Sequence, residues 1–600
     1  MVLGRLMELK TDKSPGPDGL HPRVLEEMAL EIVDASMLTV GRCRRQADIN
    51  SQAVACLLGT AETSPDVVQL LRGHILFQDL GNAGLHFIPP AVLRLQYLEE
   101  LHLEGNQIEE IPAEIGSLRR LRVLYLNNNS LSRICDQLVE CQNLQSLDLS
   151  NNPLDCGIPT QVLCHLQALQ ELRLSNLNLV QLPAQICKKL HHLQLLGLSG
   201  NSLTTLPCEI RNLTQLQQLH LKSNKLHGLP PGFCQLLKLE VLNLRQNLLN
   251  CLPDDIGSLK NLKHLYLSHN KLTTMPESLD KCLSMCVLDI SGNRLHANVK
   301  ALPASLTELA VSDNQLHIFP TAICNLADSL QLLYLKNIQL KKLSYCFSNL
   351  TEIRFLDLSQ NLFRYFPKQI CDLSHLEMLS LDDNKLKEVA AEIRNLTKLK
   401  ILGLTGNRFR TFPQEICFID SLEKLYLGQD HGIKLIHVPE EITHLVKLKE
   451  LYLENNEIEF LPSTIGLLQN LTVLDCHENR LLEIPDSISD IQGLQKLLLN
   501  CNRISHLPAN LDHLQNLEIL YLERNPLEKP LDEICLHGVS AIFQYLQTKR
   551  IQKISATKIQ AWWRGLMVQK ELGPFQNLFP KKNKKGKKNQ KNNKKKGKKK

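Results

Sequence analysis

Leucines recur along this chain with a 23-residue rhythm that runs from about Ile75 to Leu527. The stretch Leu98-Glu-Glu-Leu101-His-Leu103-Glu-Gly-Asn106-Gln-Ile108 returns as Leu121…Asn129…Leu131 and again as Leu216…Asn224…Leu226. Taking the first Leu-x-x-Leu position as a marker, nineteen repeats open between Leu98 and Leu517, preceded by a degenerate one near Ile75. Within each, x-Leu-x-Leu-x alternates with period two, which predicts a short strand with leucines inward and the intervening residues outward. Asparagine stands eight residues after the marker in sixteen of the nineteen repeats. Its amide both donates and accepts, so a stack of them can satisfy backbone groups where the chain leaves each strand. The following Leu-Pro-x-x-Ile-x-x-Leu predicts the return path, because proline ends strand pairing and opens a short helical or irregular segment.

A fixed period over three quarters of a chain predicts a solenoid that buries its core between neighbouring repeats. The apolar fraction of 43% is ample for a continuous core. Some repeats depart from the rule. Leu177 and Ile338 replace the ladder asparagine, and the repeat from Met285 has only 21 residues. The repeat from Leu422 has 26 and contains Gly-Gln-Asp-His-Gly at 428–432. Tolerated drift explains these departures; so does a local bulge or change of curvature that shapes a binding site, most of all at 428–432.

The pattern resembles the leucine-rich repeat superfamily, in its intracellular 23-residue Leu-Pro-x-x-Ile form. The resemblance implies an α/β solenoid, a curved horseshoe with a parallel sheet on its concave face, over residues 75–537. Protein recognition on that face is the usual role of such horseshoes. The fourth residue after each marker points outward, and six of the ten tyrosines fall in this one column: Tyr125, Tyr266, Tyr334, Tyr426, Tyr452 and Tyr521. Tyrosine offers a large contact area at low rotamer cost, which suits a protein partner; strand packing alone also accounts for the column.

Past Leu527 the period stops. Residues from Glu533 to Leu546 predict a capping helix, and helix-forming composition runs on to Gly573-Pro574. Ile559, Trp562, Trp563 and Leu566 share one helical face, with Lys558, Arg564 and Lys570 flanking the only two tryptophans of the chain. A basic amphipathic helix of this kind suits an acidic, Met-rich groove, or else docks on the array itself. Ile559-Gln560-Ala-Trp-Trp-Arg564-Gly565 resembles the IQ motif, Ile-Gln-x-x-x-Arg-Gly-x-x-x-Arg. That resemblance implies contact of Gln560, Arg564 and Gly565 with a lobe of calmodulin or a related EF-hand light chain. Gln569 stands where the pattern has a second basic residue, with Lys570 one place later. Array and motif together resemble the leucine-rich repeat and IQ domain-containing proteins.

Charge is divided unevenly. The formal net charge is +6, yet residues 581–600 hold thirteen lysines and no acid, leaving −7 on the rest. Residues 581–600 hold only Lys, Asn, Gly and Gln, and 574–600 is expected to be a disordered basic tail. It suits an anionic surface such as nucleic acid or lipid headgroups, or serves only solubility. Nineteen cysteines are scattered, and Cys187, Cys234, Cys324, Cys371 and Cys417 share one register, where a small buried thiol is expected. No CxxC pair or Cys/His cluster has ligand spacing, so neither metal nor cofactor is expected. Asn128, Asn212, Asn349, Asn395 and Asn470 open Asn-x-Ser/Thr sequences, which the periodicity explains without glycans.

No apolar stretch at the N-terminus reads as a secretion signal, and no run of about 18 apolar residues could span a bilayer. An intracellular setting is expected: cytoplasmic, with nuclear or cytoskeletal association open. No phosphate loop, zinc-protease or nucleophile-elbow motif occurs, so the chain is expected not to be an enzyme. Residues 1–49 fit neither the repeats nor a cap. Lys10 to Ala29 resembles the segment preceding the catalytic palm in reverse transcriptases of non-LTR retroelements, but no polymerase carboxylate motif follows. An exonised fragment, an artefact of gene assignment and a flexible leader are all compatible with it. Residues 50–74 are expected to cap the solenoid, and 538–573 to form the capping helix and IQ motif. The expected function is a non-catalytic protein-binding scaffold. A regulatory subunit of a small-GTPase-type signalling complex and an anionic-polymer anchor remain alternatives.

Overall fold

A computed structural model describes residues 75–154, 157–296, 299–429 and 433–570 of the chain. The expectations for 1–49, 50–74 and 574–600 lie outside the described residues, as do positions 430–432 of the insertion. Twenty three-residue strands, β1 (Phe77–Asp79) to β20 (Ile519–Tyr521), each pair in parallel with the next in sequence. The degenerate repeat near Ile75 thus supplies a true strand. Register is set by the repeat: Leu101 of β2 (Glu100–His102) lies beside Leu124, Leu124 beside Leu147, and so along the sheet. A one-residue slip would turn every leucine to the outer surface, which is why the pairing holds through repeats of unequal length.

The return paths are mostly single 3-10 turns of three to six residues, such as Ala113–Ser117 and Cys208–Asn212. Each of these two follows a proline in extended conformation, Pro112 and Pro207, which takes the chain out of the sheet before the turn begins. So short a segment fits the tighter 3-10 geometry more readily than a full α-helical turn. Two returns have room for α-helix, α1 (Thr160–His165) and α2 (Ala184–Lys189), in repeats one or two residues longer than the norm. Strands stand only about 4.8 Å apart, and the bulkier turns stack on the opposite side, which makes the sheet the inner, concave face.

Leucine, isoleucine and phenylalanine side chains from every repeat merge into one apolar core. Each fully buried leucine contributes roughly 1.5–3 kcal/mol, and the sum grows with every repeat added. Asparagines seal the edge of this core. Asn129 Nδ2 donates to Leu103 O (2.8 Å) and Leu126 O (3.0 Å), and its Oδ1 accepts from the Ile108 N–H (3.0 Å). Where the ladder residue is missing, the next asparagine does double duty. Asn201 Oδ1 accepts from both Leu177 and Leu179, and Asn361 Oδ1 from both Ile338 and Leu340.

The irregular repeats leave the sheet undisturbed. β10 (Val287–Asp289) and β11 (Glu308–Ala310) pair across the short repeat, and β16 (Lys424–Tyr426) and β17 (Glu450–Tyr452) pair across the long one. In the long repeat the Lys434 ammonium reaches the backbone carbonyls of Gln429 (2.6 Å) and Asn455. A lysine thereby satisfies carbonyls near the position where other repeats carry the ladder asparagine.

Cysteines follow the expected register with one correction. Cys187, Cys234, Cys371 and Cys417 are buried free thiols, each pushed up to about 12 chiefly by burial. Cys324 is instead disulfide-bonded to Cys346, 22 residues on, because the solenoid stacks the two positions in adjacent repeats with Cα atoms 5.8 Å apart.

The end of the array also departs from expectation. The segment read as one capping helix from Glu533 to Leu546 is broken at Gly538, whose φ of +83° lies in the left-handed region that glycine enters without strain. A short helix, α3 (Leu531–Ile534), precedes this break, and a 31-residue helix, α4 (Val539–Gln569), follows it.

Candidate functional site

Two surfaces carry side chains that the core does not require. The first is the concave tyrosine column. Tyr125 lies against the His102 ring, with centroids 4.7 Å apart. Tyr266 lies under the Arg245 guanidinium at 4.2 Å, while that guanidinium donates to Asp289 Oδ2 through Nε (3.0 Å) and a terminal nitrogen (2.8 Å). Tyr334 packs on Phe355 at 4.7 Å. Tyr426 and Tyr452 stack almost face to face, 4.6 Å apart and 9° from parallel, and are only 9% and 6% exposed. The Tyr452 hydroxyl donates to Glu450 Oε2 at 2.9 Å. Tyr521, on the last strand, is open to solvent. The fold therefore splits the column: Tyr426 and Tyr452 use their faces on each other, whereas Tyr125, Tyr266, Tyr334 and Tyr521 keep part of theirs available.

Between these tyrosines the face is acidic and enclosed. Asp357 is buried, and its carboxyl is raised by that burial. Asp382 is pushed up to about 7, first by burial and also by Asp357 and Asp383, against the lowering effect of hydrogen bonds from Ser380 (2.8 Å) and the Thr405 N–H (2.7 Å). Gly403 has no side chain where Asp382 lies: a Cβ there would meet Asp382 Oδ2 at 2.5 Å. Farther along, burial works to lower His477, but the Asp475 carboxylate 2.6 Å from Nδ1 leaves it raised overall.

The second surface is the outer part of α4. Its first three turns are anchored. Ile542 and Leu546 are buried, and the Arg550 guanidinium donates to Asp512 Oδ2 (2.6 Å), Asp512 Oδ1 (2.9 Å) and Asn510 Oδ1 (3.1 Å). Beyond Arg550 every described residue through Gly565 is exposed. Trp562 and Trp563 are 64% and 54% exposed, and Ile559 is equally open. Helical docking on the array, the bland alternative for this segment, is not what the fold adopts. Ile551 and Ile554, missed in the sequence reading, are also exposed, on the stretch of α4 between Arg550 and the motif.

Helix α4 contains five basic residues and no acid. Gln560 and Arg564 are exposed on it, and Lys570 is exposed just past its end. A methyl group at Gly565 would meet nothing within 4 Å, so the fold itself makes no demand for glycine there.

Residues 553–573 match the IQ calmodulin-binding motif family. Residues 156–346 match the leucine-rich repeat region family, and 96–154, 119–179 and 469–527 match the leucine rich repeat family. The chain is a leucine-rich repeat protein. It is similar to Leucine-rich repeat and IQ domain-containing protein 4 of Mus musculus and of Homo sapiens, at 54% identity over 160 residues in both cases. That stretch spans 27% of this chain, 27% of the mouse protein and 29% of the human one. Among solved structures, the leucine-rich repeat array is similar to plant peptide hormone receptor RGFR1 in complex with RGF2. The TM-score is 0.50 at 27% identity, covering 76% of this chain and 75% of the receptor. No described helix is long and apolar enough to cross a membrane.

The solenoid also gathers residues that no sequence motif announced. Asp79 of β1 pairs with His102 of β2, and Glu104 follows on the same face. One ligand atom from each lies within 4.8 Å of the others. The repeat held the signal: positions 23 apart become neighbours on adjacent strands.

Proposed function

We propose that the protein is a non-catalytic, intracellular scaffold. The IQ helix holds calmodulin or a related EF-hand protein, and the concave face holds a protein partner. The uncovered face of α4 carries this reading: Ile559, Trp562 and Trp563 stand in water on a helix with basic residues and no acid. Leaving such side chains exposed forgoes roughly 1.5–3 kcal/mol each, which a groove-shaped partner recovers on binding. In this reading Gln560, Arg564 and Lys570 contact the acidic rim of the groove, and Gly565 permits close approach of a lobe. Because an EF-hand partner changes shape with calcium, the scaffold responds to calcium at its C-terminal end.

On the concave face, Tyr125, Tyr266, Tyr334 and Tyr521 supply contact area, with Tyr426 and Tyr452 as a rigid stacked floor between them. Fourteen described cysteines that stay free, against one bonded pair, agree with an intracellular setting.

Calmodulin as a family lacks tryptophan, so titrating it into the full chain reads Trp562 and Trp563 directly. A blue shift of their emission is expected, and Gly565→Leu should weaken it about tenfold with no loss of helix content. Emission unchanged both with and without calcium overturns the assignment.

A further inference from the structure

We propose that Asp79, His102 and Glu104 form a binding site for a divalent transition-metal ion of the zinc class, at the N-terminal end of the concave face. Strand register puts Asp79 and His102 side by side, and Glu104, two residues on, points to the same face as His102. Their ligand atoms lie within 4.8 Å of one another. A tetrahedral centre with bonds near 2.0–2.1 Å needs them roughly 3.4 Å apart, a distance that small side-chain rotations supply.

Three further observations favour a cation. No lysine or arginine forms an ion pair with Asp79 or Glu104 among the described residues, so two carboxylates converge without a countercharge. Glu104 Oε2 is buried and accepts no hydrogen bond, which is costly for a charged oxygen unless something else neutralises it. Asp79 Oδ1 accepts only the Gly81 N–H, at 2.9 Å.

The surroundings are arranged to keep the three groups together. The imidazole is held between the edge-on ring of Phe77 (5.0 Å) and the tilted ring of Tyr125 (4.7 Å). A Cβ at position 81 would lie 2.9 Å from Glu104 Oε1 and 3.3 Å from Asp79 Oδ1, so glycine leaves room for both carboxylates. One imidazole with two carboxylates suits zinc and its first-row neighbours, whereas calcium and magnesium prefer all-oxygen sets. The ion would tie β1 to β2 and keep its fourth position for water or for a group from a partner on the concave face.

Cobalt(II) is the probe, because its visible absorption reports the coordination shell. The full chain should take up one cobalt ion displaced by zinc, and His102→Gln and Asp79→Asn should each weaken uptake at least about tenfold. Zinc should also slow hydrogen exchange at the Leu80 N–H, which bonds His102 O at 2.9 Å, in the wild type only. Circular dichroism of both metal-free variants should match the wild type. Asp79 is exposed, so its variant remains informative even if His102→Gln folds poorly. Cobalt uptake that survives both substitutions belongs to other histidines or cysteines and overturns the proposal, as does the absence of uptake by the wild type.

Discussion

The repeat array and the outer half of α4 treat the same kinds of side chain in opposite ways. In the array, leucines are sealed between neighbours and each ladder asparagine satisfies several backbone groups at once. On α4 past Arg550, isoleucines and tryptophans lie in solvent and nothing in the described chain covers them. The first region seals its apolar surface between its own repeats, and the second leaves that surface exposed. Regularity therefore marks structure here, and function is to be sought where the regular neighbours run out.

The largest effect that tests this contrast lies in the ladder. Asn361→Ala removes donors to Leu335 O (2.8 Å) and Leu358 O (3.0 Å), and the acceptor shared by Ile338 and Leu340. A loss of about 4 kcal/mol is expected in urea unfolding, against about 2–3 kcal/mol for Asn270→Ala, whose oxygen serves Leu249 alone. Equal losses would show that the asparagine after a gap carries no extra load.

Arg550→Ala cuts the tether between the two regions. About 2 kcal/mol of local stability should go, seen as faster hydrogen exchange over Val539–Leu546 with the outer helix unaffected. Uniform acceleration along all of α4 would mean that the outer half depends on the array after all.

Asp382 offers a smaller, pH-dependent test inside the array. Its carboxyl is raised in the folded state to about 7 from the usual 3.8, so the fold binds the proton more tightly than the unfolded chain does. The associated stability is complete below about pH 4 and is lost as pH rises through 7. Asp382→Asn should hold Tm steady across that window while the wild type falls by roughly 2 °C relative to it. Parallel curves would count against a protonated Asp382.

Smallest of all is the expected stability change for Trp562→Ala combined with Trp563→Ala, within about 0.5 kcal/mol, where a buried Leu→Ala in the array costs roughly 2–5 kcal/mol. A large destabilisation by the tryptophan pair would erase the distinction between the two regions.

Much of this was readable in the residues. The period, the inward leucines, the asparagine ladder and the apolar face at Ile559, Trp562 and Trp563 all rest on local spacing, which strand and helix geometry convert directly into position. Cys324 was misread because its partner Cys346 sits off the shared register, and a bond between adjacent repeats depends on how they stack. The break at Gly538 escaped because a glycine within helix-forming composition is a weak signal until its φ is known. Asp79, His102 and Glu104 have no ligand spacing along the chain, and only the solenoid brings them together across strands.

The sequence by itself determined the solenoid, the number of its layers and the presence of an IQ-like helix after the last one, since each follows from a repeated local pattern. Tertiary structure alone decided which outward residues are free. Tyr426 and Tyr452 close on each other while Tyr521 stays open, and α4 is pinned at Arg550 but uncovered at its tryptophans. Exposure is a property of neighbours in space, and a one-dimensional pattern carries that information only where those neighbours are themselves periodic.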